Sequence, residues 1–218
     1  MSIKKTLFGV REKCYLCYRP KSSCMCGEIT SFDTNTKFVI LMHPKEFKKT
    51  KNTTGRLTHL SLKNSELFID VNFTNHKRIN EIIDTYDSFV LYPSQNAINL
   101  SNEKPNLSKK MAVFIIDSTW ACSKAILRNS KNLQNLNYIS FTNTKLSQYK
   151  IKEQPADYCL STIESTLCVL ELLNKHNIEK IEENSLNNFL NPFIKMVDYQ
   201  IKCINKTNKD TARFRKKI

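Results

Sequence analysis

Glycine is almost missing from this chain: three residues in 218, at positions 9, 27 and 55. So few cannot spell a G-x-G-x-x-G or a P-loop, which argues against the usual dinucleotide-binding and nucleotide-hydrolysing loops. The glycine-rich first turn of the common methyltransferase fold is absent for the same reason. Any adenosine-containing ligand must be held by other loops. Long apolar runs are also absent, and nothing approaches the ~20 residues of a membrane span. Residues 1–30 lack the apolar stretch of a secretion signal. A soluble, cytoplasmic protein with no membrane partner is expected. Acids are scarce as well, 20 against 34 basic residues, for a net charge of +14. A field of that sign concentrates polyanions, so the expected partner is a nucleic acid. Tryptophan occurs once, as Trp120.

Cysteine is what the sequence does have. Four of the eight fall in "REKCYLCYRPKSSCMCG", residues 11–27, as Cys14, Cys17, Cys24 and Cys26. Two close pairs of thiolates suit one tetrahedral structural zinc, which leaves no open coordination position. Disulfides are the alternative, and they are disfavoured in a reducing compartment. Cys122, Cys159, Cys168 and Cys203 are scattered in apolar contexts and read as small buried hydrophobes.

Beyond the cysteines, short apolar runs alternate with helical periodicity. Residues 38–42, 67–69, 89–92, 112–116 and 138–141 read as strands. Ile79, Ile82, Ile83 and Tyr86 form one helical stripe. Residues 120–129 read as a helix, and Ser161 with Glu164 forms a capping box before another. A last helix is expected over about 186–203, kinked or broken at Pro192. Residues 94–110 read as a surface loop, and the basic tail 206–218 as mobile. Continuous apolar strands alternating with helices predict an α/β fold around a parallel sheet covered on both faces. Ligands bind such sheets outside the carboxyl ends of the strands. There the sequence puts His43-Pro44, Pro93-Ser94 and Asp117.

Asp117 closes the clearest strand and is followed at once by Ser118, Thr119 and Trp120. Alone, it reads as an N-cap for the next helix, and Trp120 as a core anchor. The surroundings change that reading. "HPKE" (43–46) with "NTTG" (52–55), "LYPS" (91–94), "DSTW" (117–120), "YKIKEQP" (149–155) and "LSTIES" (160–165) follow one another in order, after the cysteine segment. Together they resemble the DTW-domain family of tRNA-uridine aminocarboxypropyltransferases, over residues 11 to about 175. Some positions depart from the family pattern. Ser118 replaces a glycine, Ser165 replaces an alanine, and lysines (Lys48 or Lys49, Lys150, Lys152) stand where arginines are expected. Lysine keeps the charge and loses the bidentate fork.

The resemblance implies a SPOUT-like fold, with a C-terminal knot that builds the cofactor site. It implies transfer of the 3-amino-3-carboxypropyl group of S-adenosylmethionine to a uridine ring nitrogen in tRNA, releasing methylthioadenosine. Leu91, Tyr92, Pro93 and Ser94, then Asp117, Ser118, Thr119 and Trp120, then Leu160, Ser161 and Thr162 would form the cofactor site. Asp117 would be the general base, or else a clamp on the amino group of the cofactor's methionine part. His43, Glu46, Lys48, Lys49, Asn52, Thr53, Tyr149, Lys150 and Lys152 would face the RNA. Three parts are expected: a four-cysteine zinc segment (1–30), the DTW catalytic domain (31–205) and the basic tail (206–218). The zinc segment would staple the fold, with an RNA contact as a secondary role. The molecule would be a monomer or a homodimer. The competing readings are a SPOUT-type RNA methyltransferase and a non-catalytic, zinc-stapled RNA-binding protein.

Overall fold

The computed structural model describes residues 12–48, 53–143, 146–149, 151 and 159–207. Six strands form one sheet: β1 (Lys37–Met42), β2 (Ser65–Ile69), β3 (Asp87–Leu91), β4 (Ile98–Asn99), β5 (Met111–Asp117) and β6 (Asn137–Ser140). Their order is β2-β1-β5-β3-β6-β4, and every pairing is parallel. Parallel neighbours need crossovers, and the helices supply them. These are α1 (Pro44–Lys48), α2 (Gly55–Ser61), α3 (Lys77–Thr85), α4 (Trp120–Asn129), α5 (Lys131–Gln134), α6 (Thr162–Lys175), α7 (Glu183–Asn188) and α8 (Asn191–Thr207).

The strand alternation sorts the core into two layers. Phe38, Ile40, Val113 and Ile115 point to one face and meet Leu57 of α2, Ile163, Leu170 and Leu173 of α6, and Phe193 and Met196 of α8. Val39, Leu41, Ala112 and Phe114 point to the other and meet Ile79 and Ile82 of α3, Ile126 of α4 and Leu133 of α5. Both faces are dry, which is why β1 and β5 are apolar without interruption. Among the described residues, no helix is long and apolar enough to cross a membrane.

Two expectations need correction. The stretch 94–110 is not all loop: Ile98 and Asn99 pair with Ile139 and Ser140 as the edge strand β4. Leu100 beside it is fully buried, and its carbonyl lies 2.7 Å from His176 Nε2. A two-residue strand is too short to show a period. The last helical region is broken, as the proline suggested, but the break falls just before it: α7 ends at Asn188, and Pro192 lies in the first turn of α8. Proline is tolerated there because a first-turn N–H has no intrahelical partner.

The edge strand β2 is held by charge. Glu66 accepts 2.8–3.2 Å hydrogen bonds from Arg78 Nη2 and Nε, and lies 2.8 Å from Lys37 Nζ. The Arg78 guanidinium, with Lys37 behind it, holds the Glu66 carboxyl down at about 2, from an ordinary 4.5. A depressed carboxyl stabilises the fold above its unfolded value, and that contribution is lost as pH falls through the folded value. The stability deficit of Glu66→Gln is therefore expected in full at pH 7, shrinking between about pH 4.5 and pH 2. Urea denaturation across that range checks it. A deficit that stays constant with pH would refute the pairing.

Candidate active site

Asp117 ends β5 in the middle of the sheet, between β1 and β3. Its carbonyl accepts from His43 N at 3.1 Å, which carries the β1–β5 ladder one residue past β1. Asp117 as a whole is only 6% exposed. Thr162 Oγ1 donates to Oδ1 at 2.6 Å, and Thr53 Oγ1 reaches Oδ2 at 3.4 Å. Asp117 is not a helix cap, because Thr119 occupies the N-cap position of α4. Both α4 and α6 begin beside it, at Trp120 and Thr162. The positive ends of these helices favour a buried anion.

Gly55 explains itself here. A Cβ at this position would collide with the Asp117 carboxylate. The first residue of α2 has no side chain because the acid occupies that space. Gly55→Ala is expected to displace the carboxylate and cost about 1–3 kcal/mol, as overpacking does. Thermal unfolding, with ligand binding at the pocket as a second readout, checks it. An unchanged melting point would mean that the acid is held elsewhere.

A cavity of about 790 Å³ opens over Asp117. Leu91, Tyr92 and Pro93 line it from the end of β3, and Ser118, Thr119 and Trp120 from the end of β5. Leu160, Ser161 and Thr162 line it from the start of α6. Trp120 is 40% exposed and stands edge-on to Tyr92, with ring centroids 5.7 Å apart. The tryptophan is thus a pocket wall and not a core anchor. Ser94 does not line the cavity; its carbonyl closes a turn with Ala97 N at 3.1 Å. Phe141, Thr142 and Asn143, just past β6, do line it and were not anticipated. The strand-end rule that selected Pro93-Ser94 applies equally to the end of "YISF" and could have found them.

The residues expected on the RNA side divide. Glu46, Thr53 and Tyr149 line the same cavity. His43 is buried beneath it, its Nδ1 accepting from Lys45 N at 3.1 Å. Tyr149 is only 4% exposed and packs edge-on against Phe193, with centroids 5.2 Å apart. Burial pushes its phenol up. Lys48 is exposed on α1. Lys49, Asn52, Lys150 and Lys152 lie outside the described residues.

The segment 147–149 is tied down by one buried acid. Glu164 accepts from Ser161 N at 2.9 Å, from Ser147 Oγ at 2.9 Å and from Gln148 N at 2.7 Å. The capping box of α6 thus does two tasks: it caps the helix and fixes one side of the cavity.

The four clustered cysteines converge beside the N-terminal part of α8, where Arg19 meets Met196 and Glu28 meets Lys195. Cys14 Sγ lies 3.7 Å from Cys26 Sγ, and Cys17 Sγ lies 3.7 Å from Cys24 Sγ. All four sulfurs lie within 4.8 Å of one another. A tetrahedron with metal–sulfur bonds of ~2.3 Å has edges of roughly 3.8 Å, so the cluster fits a metal ion. Backbone N–H groups of Cys17 and Leu16 draw the Cys14 thiol down to about 6, while burial pushes Cys26 up. Arg19 is 1% exposed beside this cluster. Its guanidinium donates to Met196 Sδ at 2.7 Å, and no carboxylate among the described residues reaches it. Burial pulls the guanidinium down, and Cys17, Cys24 and Cys26 oppose that shift when they are ionised.

A family profile described as "DTW domain" matches residues 11–201. The chain belongs to the DTW domain family. Three curated relatives carry the name tRNA-uridine aminocarboxypropyltransferase 2. The Drosophila melanogaster protein is 31% identical over 170 residues, 75% of this chain and 67% of the relative. The Macaca fascicularis and Mus musculus proteins are each 27% identical over 175 residues, 77% of this chain and 58% of each relative. The chain therefore spans less than two thirds of the two mammalian proteins. No solved structure gives a significant match. The DTW domain takes in the cysteine cluster as well as the sheet. Its Asp-x-Thr-Trp motif is the turn from β5 into α4, with the acid inward and the tryptophan on the wall.

Proposed function

We propose that this DTW-domain chain is a tRNA-uridine aminocarboxypropyltransferase. The observation that carries the reading is the buried Asp117 under a 790 Å³ cavity at the strand ends, in a chain whose relatives bear that name. The cavity is of the size that encloses small ligands, ~300–1,000 Å³. Its chemistry fits S-adenosylmethionine. Leu91, Pro93 and Trp120 offer apolar wall for a purine. The α6 N-terminus offers N–H groups to a carboxylate, and Asp117 offers an anion to an ammonium.

S-adenosylmethionine would supply an electrophilic carbon next to a sulfonium. A uridine nitrogen forms the new N–C bond, the C–S bond breaks, and methylthioadenosine leaves neutral. The N–H proton lost by the uridine must go to a base. Asp117 is the acid placed to take it, with Thr162 and Thr53 fixing its orientation. The exposed Lys48 belongs to a basic rim that positions phosphates without reading sequence. Zinc is the metal we assign to Cys14, Cys17, Cys24 and Cys26, because four thiolates in a closed tetrahedron suit it. We further take the fold to be SPOUT-like, with a C-terminal knot that builds the cofactor site. Its support is an all-parallel sheet with the cavity at the carboxyl ends of its strands.

The test is to mix the protein, S-adenosylmethionine and an unmodified tRNA transcript and to analyse the products by mass spectrometry. Methylthioadenosine made only with tRNA, and a uridine heavier by about 101 mass units (the added group less the displaced proton), is the expected result. S-adenosylhomocysteine would instead make the chain a methyltransferase. Binding of tRNA with neither product would leave an RNA-binding module.

A further inference from the structure

The cysteine segment carries large apolar side chains that it does not bury. Tyr15 is 89% exposed, Leu16 61% and Tyr18 41%. They lie between and just after Cys14 and Cys17, on the tight turn the metal ligands define. Tyr18 holds a left-handed backbone, with φ of 57°. A bulky residue in that region is uncommon and costs energy, and such strain collects at functional positions.

This patch is joined to the cavity by two short paths. Arg56 stacks over the Tyr18 ring, 4.2 Å from its centroid, and lies 5.2 Å from that of Phe47. Tyr18 and Phe47 meet edge-on at 6.1 Å. The residue before Arg56 is Gly55, which touches Asp117. The residue before Phe47 is Glu46, which lines the cavity. One step along the chain separates the cavity-lining Glu46 from Phe47, and two separate the cavity-lining Thr54 from Arg56. The surroundings are basic: Lys13, Lys45 and Lys48 are exposed, and Glu12 is engaged with Lys21 at 2.5 Å.

Exposed aromatic faces amid positive charge, beside a site for an RNA base, fit one occupant: unpaired nucleotides. Bases stack on tyrosine whatever their sequence, while lysines and arginines take the phosphates. A folded protein partner would want a larger apolar area and fewer lysines. We propose that Tyr15, Leu16 and Tyr18 form a stacking platform for unpaired nucleotides that flank the reacting uridine. The inference rests on the transferase reading and adds to it that the metal-bearing segment is part of the substrate site.

The experiment measures binding of a fluorescent, unmodified tRNA transcript to the full chain. Variants are the pair Tyr15→Ala with Leu16→Ala, and separately Tyr15→Trp. Bound metal and S-adenosylmethionine affinity are measured on each. The alanine pair is expected to raise Kd roughly 5- to 150-fold, the range of one lost stacked base. The dependence of affinity on salt should stay the same, because no phosphate contact is removed. Metal content and S-adenosylmethionine affinity should also stay the same, and Tyr15→Trp should bind like the parent. Wild-type affinity in the alanine pair overturns the platform, and so does a loss that tracks loss of metal. If the parent modifies tRNA and the alanine pair does so with unchanged KM, the platform alone is wrong. If the parent neither binds nor modifies tRNA, the transferase reading falls with it.

Discussion

Asp117→Asn is expected to lower turnover by ~10²–10⁴-fold, the usual contribution of a positioned base, while leaving the fold intact. Asparagine has the same shape, and the Thr162 hydroxyl that donates to Oδ1 at 2.6 Å can donate to an amide oxygen equally well. The collision that excludes a side chain at Gly55 is not worsened. What changes is the negative charge and the capacity to accept a proton. Two roles predict different kinetics. If Asp117 takes the uridine proton, the variant loses kcat, keeps its KM for S-adenosylmethionine, and loses the acidic limb of its pH–rate profile. If Asp117 only clamps the ammonium of the donor, KM for the donor rises and the pH profile keeps its shape. Near-normal turnover would remove Asp117 from the chemistry altogether.

Metal removal should have the largest effect on stability. With the proposed zinc bound, the four thiolates would carry two net negative charges, and Arg19 is buried beside them without a carboxylate partner among the described residues. Taking away one side of a buried charge pair costs ~3–5 kcal/mol. At roughly 2–4 °C per kcal/mol for a chain of this size, chelation should lower Tm by about 6–20 °C. The loss should extend beyond the cysteines. Lys195 of α8 pairs with Glu28 at 3.4 Å, and Met196 accepts from Arg19 at 2.7 Å, so α8 loosens with the cluster. Arg19→Met supplies the control. That variant has no stranded charge, so chelation should cost it less, and the double comparison isolates the Arg19–cluster coupling. Equal sensitivity in the two proteins would show that Arg19 does not answer the thiolates.

Local rules went far in this sequence. The apolar runs of β1 and β5, the α3 stripe and the capping box of α6 are each visible within one short window, because burial on both faces or a cap leaves a local pattern. The strand-end rule found Pro93 and Asp117, and the resemblance to the DTW-domain family supplied the other anticipated lining residues. The rest depends on contacts that no window contains. Gly55 and Asp117 are 62 positions apart, and nothing in "NTTG" says that an acid fills the space of the missing side chain. Arg19 reads as one more surface cation in a basic chain, and only the packing of α8 buries it. Arg56 carries no motif, yet it joins the cysteine segment to the site through Tyr18 and Phe47.

The Arg19–Met196 contact spans 177 positions of chain. On a ribosome adding ~5–20 residues per second, the cysteine segment emerges about 10–35 s before the helix that covers it. A nascent chain can load its metal in that interval, but Arg19 stays hydrated until α8 arrives. Metal loading is thus open early and sealed late, and a chain that reaches α8 with an empty cluster must bury an unanswered charge to finish folding. With zinc as the metal we assign to the cluster, its supply during synthesis, more than its supply afterwards, is then expected to set how much native protein a cell obtains.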